Sequence, residues 1–467
     1  MTTGLAERRI IALEQKIQAL KAEFDAWLDE SAKSGIFARH RSQIVALTGH
    51  LAGLSSQTQQ VFDEARREGS VLAEGRNIES LVLGIRRIWE FFRAKLIQRR
   101  DLSMCAFLQA ADEIAWYCYK PMLDRNPEAR RQPPLVFLNG GLSPYALSRD
   151  HAFSAEAVPG QGLTGPSYDA ILQSLPIPVI GVPWSQLAHL PDLPVVAHET
   201  GHAVEHDFGL RPAVLRNLEG ALAEAPLRLR AWLAWSDEVF ADLWGCLTLG
   251  PAYVSSLVDF LATDRSRIQH EIPDSHGRYP THRLRISLAA EALRRMDFTD
   301  DAQSILGLWA AEYDPAQPGD YERDVAGVVD AIIGQPLSGA GSTVTLLELG
   351  SARLNADDWD YARQGAREIT QFGEAPHSAN QILRWVAAAR YLYDLSPSDY
   401  ALNGYGKILL DHSAELIDPR TRHAEAALDE ADEEKLTSDS QLDAQRSFDA
   451  FVRWSTADGE DQRRQAG

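Results

Sequence analysis

The run Val195-Val196-Ala197-His198-Glu199-Thr200-Gly201-His202-Ala203-Val204 constrains the fold of this chain more than any other stretch of it. Residues four apart share one face of an α-helix, so a helical His198 and His202 bring two imidazoles to a common point. Histidines at that spacing can form a zinc-binding pair, with Glu199 at the edge of the site, where it can take a proton from an attacking water; the other reading is a helix whose two histidines only hydrogen-bond to neighbours. The flanking valines and alanines give the helix a buried side. Thr200 and Gly201 are small where an ion has to approach, and Gly209 and Pro212 supply a stop.

A catalytic zinc takes three protein ligands and leaves one position for water. The elongated arrangement H-E-x-x-H-x-x-G-x-x-H needs Gly at 205 and His at 208, whereas the chain has Glu205 and Phe208. A glutamate on a later helix, followed one turn on by an acid that orients a histidine, is the remaining scheme. Trp235-Ser236-Asp237-Glu238-Val239-Phe240-Ala241-Asp242-Leu243-Trp244 meets it, because Glu238 and Asp242 form an i,i+4 pair in an otherwise apolar stretch. Carboxylates among Trp, Val, Phe and Leu are costly to bury without partners, and an ion and a ligand histidine are such partners. A solvated acidic stripe is the other reading of the pair, and Asp237 is expected to stand outside the site. His206 is rotated away from the His198–His202 line and is expected to be structural. His270, His276, Tyr279 and His282 fall in the polar segment from Arg267 to Arg285. One of them is expected to donate to the oxyanion formed when water attacks a carbonyl, Tyr279 and His276 first. Arg285 can pair with an acid near the site or lie at the surface.

The pair H-E-x-x-H and E-x-x-A-D, here His198 to His202 and Glu238 to Asp242, resembles the gluzincin zinc metallopeptidases, and its Ala241-Asp242 ending is most similar to the CAAX prenyl protease family. The resemblance implies a Zn2+ cofactor, zinc ligands His198, His202 and Glu238, a catalytic base Glu199, and Asp242 behind a ligand histidine. Members of that family often continue with H-P-P-L-x-x-R-I. Tyr279-Pro280-Thr281-His282-Arg283-Leu284-Arg285-Ile286 resembles that run, with Tyr279 in place of the first histidine. The implied activity is zinc-dependent hydrolysis of peptide bonds in a peptide or protein substrate. Two other functions would keep the same residues: hydrolysis of non-peptide amides, and a non-catalytic interaction protein with a structural zinc site.

A formal charge of −20 argues against a nucleic-acid surface and against anionic membranes as partners. Met1 to Arg9 lacks the apolar core of a signal peptide, and no stretch of about 18 apolar residues occurs, so a cytoplasmic protein is expected. Cys105, Cys118 and Cys246 are too widely spaced for a C-x-x-C site and are expected to be buried thiols.

Ile10, Leu13, Ile17, Leu20, Phe24 and Trp27 form a heptad seam, and Ile44, Leu47, Leu51, Leu54, Thr58 and Val61 form another after Ser34-Gly35. An antiparallel hairpin packed in a bundle is favoured over self-association as a coiled coil, because each seam lasts only about three heptads. Helices are expected from Ile78 to Ile97 and from Ser103 to Tyr119, the latter stopping before Pro121. Leu135 to Leu138 and Ile177 to Val182 read as short strands, the second at a sheet edge because of its prolines. The glycine-rich run from Pro159 to Pro166 reads as a loop with no nucleotide role. The expected fold is α+β and predominantly helical. It has a helical N-terminal region (1–125), a zincin-like metallopeptidase core with a small sheet (126–300), a helical C-terminal region (301–423) and a flexible acidic tail (424–467).

Overall fold

Apolar seams at heptad spacing have to be covered, and this chain covers them within a bundle of its own helices. The structure is a computed structural model and describes residues 4–33, 35–126, 131–147, 177–313, 319–339, 341–349, 354–373, 376–416 and 430–465. The Pro159 to Pro166 run lies outside these. The chain divides into two compact units, one of residues 1–101, 147–178 and 418–467, the other of residues 102–146 and 179–417.

In the first unit, helices Leu5–Ala32, Arg41–Glu68 and Val71–Leu96 pack with Glu430–Gln465 as a bundle. Leu13, Ile17, Leu20, Phe24 and Trp27 of one seam are buried, as are Ile44, Leu47, Leu51, Leu54 and Thr58 of the other. Of the segment 424–467, expected as a loose tail, the described part is corrected to a helix over Glu430–Gln465, packed on the bundle between Leu436 and Ser455. Its apolar residues are few, but Leu436, Ala444 and Phe451 return to one face and are buried. Composition averages over all faces of a helix, and so hides a sparse stripe of this kind. Arg41 grips Glu433 with two hydrogen bonds of 2.9 and 2.7 Å.

The second unit begins with helix Leu102–Arg125, which runs through Pro121. The expected boundary at residue 125 therefore moves to 101, because Phe107, Leu108, Ile114, Tyr119 and Met122 all join the core of this unit. Strands β1 (Leu135–Asn139), β2 (Tyr145–Leu147) and β3 (Val179–Pro183) lie in the order β1-β3-β2, with β1 parallel to β3 and Leu135 opposite Val179. The proline-bearing strand is thus central, not at an edge. Its prolines sit just before it and at its last position, so the N–H groups from Val179 to Val182 remain available for pairing. Helices Val195–Asp207, Pro226–Leu261, His282–Arg295 and Ile382–Leu395 carry most of the remaining core. No described helix is long and apolar enough to cross a membrane.

Candidate metal centre

The histidine helix, Val195–Asp207, and the glutamate helix, Pro226–Leu261, touch at Gly201. A Cβ there would stand 3.0 Å from Ala241 Cα and 3.0 Å from Trp244 Cβ, so glycine lets the two backbones approach. On the glutamate helix, Trp232, Trp235, Val239, Phe240, Leu243 and Trp244 are fully buried. Side chains of this size each contribute roughly 1.5–3 kcal/mol on burial, which offsets the cost of carrying carboxylates into the same core. The histidine helix ends where Gly209 adopts φ 61°, and Leu210 N–H closes on Glu205 C=O at 2.9 Å.

Donor atoms of His198, His202 and Glu238 lie within 4.8 Å of one another, and all three residues are buried. Glu238 Oε2 stands 3.5 Å from His198 Nε2 and 3.8 Å from His202 Nε2. Both separations exceed an ordinary N–H···O hydrogen bond of about 2.7–3.2 Å. They approach the edge of a tetrahedron, about 3.3 Å, expected for ligands about 2.0–2.1 Å from zinc. The donor set, two imidazoles and one carboxylate, is one that zinc takes, so the residues present fit the ion.

The other ring nitrogens have partners of their own. His198 Nδ1 lies 3.0 Å from Asp242 Oδ1 and 3.1 Å from the Tyr253 hydroxyl. His202 Nδ1 lies 3.2 Å from Asp237 Oδ1. Tyr253 donates to Asp242 Oδ1 at 2.6 Å, and Arg285 grips Asp242 through Nε and Nη2 at 2.7 and 2.8 Å. Asp242 is fully buried, and although burial raises its pKa, Arg285 and His198 hold it well below the carboxylate range. Glu238 is brought to about 2 against the same burial by His198, His202 and Arg285. Burial lowers the His198 pKa, but Asp242 and Glu238 outweigh it and raise the imidazole to about 10.

Tyr253 reaches this cluster because the glutamate helix breaks at Gly250, whose φ of 52° and ψ of −133° are open only to glycine. Pro251 follows and has no N–H to give, and the freed Leu247 carbonyl accepts from Leu354 N–H at 3.3 Å. The chain then turns back, and the Tyr253 ring fills the space over Gly245, where a Cβ would meet it at 2.7 Å.

The three metal-binding candidates form part of the wall of a cleft of about 1460 Å³ that Glu199, Arg278, Tyr279 and Arg285 also line. Glu199 is 5% exposed; burial raises its pKa above the usual range, while His198 and His202 pull it back. Tyr279 is half exposed at the cleft. His276 is placed elsewhere: its ring meets Arg230 at 3.0 Å on the surface, and Ser275 and Asp274 are its other neighbours. The reason is the tight turn at 274–277, where Asp274 accepts the His276 and Gly277 N–H groups. His282 faces Glu271 at 2.7 Å, and His270 bonds to Ser266 C=O.

Three participants escaped the sequence reading. Asp237 was placed outside the site, yet it faces His202; adjacency to Glu238 was the available signal. Tyr253 needed the Gly250-Pro251 break to be read as a reversal of the chain. Arg278, with Nε 2.8 Å from Glu238 Oε1, comes from a loop whose course no periodicity predicts. Comparison with known proteins finds no matching family model, no similar curated protein and no similar solved structure.

Proposed function

We propose that the chain is a zinc-dependent metallopeptidase, with His198, His202 and Glu238 holding the ion. The observation that carries this reading is the convergence of three donors, with buried Glu199 beside them, on the wall of a wide cleft. Among the described residues the group has three members rather than four, as suits a catalytic ion more than a structural one. The resemblance of the two motifs to gluzincins, and to the CAAX prenyl proteases in particular, supports the same assignment.

When bound, the ion supplies Lewis acidity that makes water more acidic and a carbonyl more electrophilic. Glu199 takes the proton of the attacking water on a carboxylate oxygen and returns it to the leaving nitrogen. Tyr279 donates its hydroxyl to the carbonyl oxygen as negative charge builds there. Leu142 to Ala146, which include part of the outer strand β2, border the cleft, and an extended peptide can add there by main-chain hydrogen bonds.

Glu199→Gln tests the proposal, since it removes the base and keeps the ligands. Hydrolysis of a peptide library should fall to background while elemental analysis still finds zinc. Near-full activity in the variant would overturn the mechanism. Activity of the wild type on small acylated amides alone would transfer the site to that class, and an X-ray absorption spectrum showing four protein ligands would make it structural.

A further inference from the structure

Glu238 turns only one of its oxygens toward the histidines. Oε2 faces both Nε2 atoms, whereas Oε1 faces Arg278 Nε at 2.8 Å. The same guanidinium stands 3.7 Å from Asp237 Oδ2 and lies over the Tyr279 ring at 5.5 Å from its centre. Its loop is tied to the glutamate helix, because Trp235 Nε1–H donates to Asp274 C=O at 3.0 Å. A carboxylate with both oxygens free can chelate an ion through two of them, the mode that larger oxygen-preferring ions use. Holding one oxygen leaves the other as a single ligand, and single-oxygen ligation keeps the coordination number low, as zinc prefers.

We propose that Arg278 is a positioning residue that holds Glu238 as a one-oxygen ligand and thereby sets the affinity and selectivity of the site for zinc. The proposal rests on the reading of His198, His202 and Glu238 as a metal centre. Arg278 is half exposed, so its replacement opens no cavity in the core, while Glu238 Oε1, which is buried, loses the guanidinium that faces it. Glu238 keeps a hydrogen-bonding neighbour in the Lys variant and loses its charged partner in the Gln variant.

The test compares wild type, Arg278→Gln and Arg278→Lys as full-length proteins. Zn2+ and Mn2+ affinities are measured by chelator competition, visible absorption is recorded with Co2+, and thermal melting of the metal-free proteins checks the fold. Arg278→Gln should bind Zn2+ about ten- to a hundredfold more weakly, the loss typical when a group orienting a ligand is removed. Its preference for Zn2+ over Mn2+ should narrow, and its Co2+ bands should weaken toward those of a higher-coordinate ion. Arg278→Lys should recover part of each change. A Gln variant with wild-type affinities and an unchanged Co2+ spectrum would overturn the role of Arg278. If wild type binds neither ion, or His198→Ala binds as tightly as wild type, the metal centre itself fails, an outcome distinct from failure at Arg278 alone.

Discussion

An imidazole that gives one nitrogen to an ion needs the other held, or the ring turns away from the geometry that ligation requires. Both histidines here meet that need with a carboxylate, Asp242 behind His198 and Asp237 behind His202. The two supports differ in setting. Asp242 is fully buried and neutralised by Arg285, whereas Asp237 lies nearer the surface, with Arg211 and Arg278 each 3.7 Å away. Asp237→Asn keeps the size of the side chain and weakens only its charge, so the fold should survive. Zinc affinity should drop about ten- to a hundredfold, as expected for a support of this kind. Chelator competition checks it, and an affinity within twofold of wild type would show that Asp237 does not orient His202.

Two glycines show how helices are shaped to build the centre. Gly250 adopts a conformation that side chains resist, and the reversal it permits delivers Tyr253 to Asp242. Gly250→Ala should cost about 1–3 kcal/mol, seen as a lower melting temperature, and should weaken zinc binding because Tyr253 moves with the turn. Gly220 offers the opposite case: it sits exposed in helix Arg211–Ala221 with open space around its Cβ position. Gly220→Ala should stabilise by about 0.5–1 kcal/mol, through helix propensity and a less free unfolded chain. Equal melting temperatures for the two variants would mean that the Gly250 break carries no conformational demand.

The chain builds one of its units from both of its ends together with residues 147–178, and the other from the remainder. The first unit depends on close packing of the final helix on Arg41–Glu68, where a Cβ at Gly53 would meet Ala444 Cβ at 2.7 Å and Gln441 Cα at 3.0 Å. Gly53→Val should therefore destabilise this bundle by about 1–3 kcal/mol, the usual cost of overpacking. The metal-binding candidates all belong to the second unit, so zinc stoichiometry below the melting transition should stay at its wild-type value. Calorimetry with elemental analysis checks both. Loss of zinc in a folded Gly53→Val protein would show that the two units are energetically coupled at the site.

What could be read in advance was local. His198 and His202 share a face because of the helical repeat alone, and Glu238 with Asp242 follows the same spacing on a second apolar helix. The heptad seams were legible for the same reason, since periodicity reports which residues must be covered. What covers them is a separate matter. The seams face one another and helix Val71–Leu96, while the other face of Arg41–Glu68 is covered from some four hundred residues away by a helix with few apolar side chains. Spacing from Glu238 singles out Asp242 and passes over Asp237, and only the crossing of two helices at Gly201 decides that each supports a different histidine. Arg278 and Tyr253 reach the centre through an irregular loop and a broken helix, whose paths are set by non-local contacts such as Trp235 to Asp274 and Leu354 to Leu247. Periodicity determined the ligand-bearing faces; tertiary packing decided what stands behind them, because burial and charge pairing are settled between segments that the sequence keeps far apart.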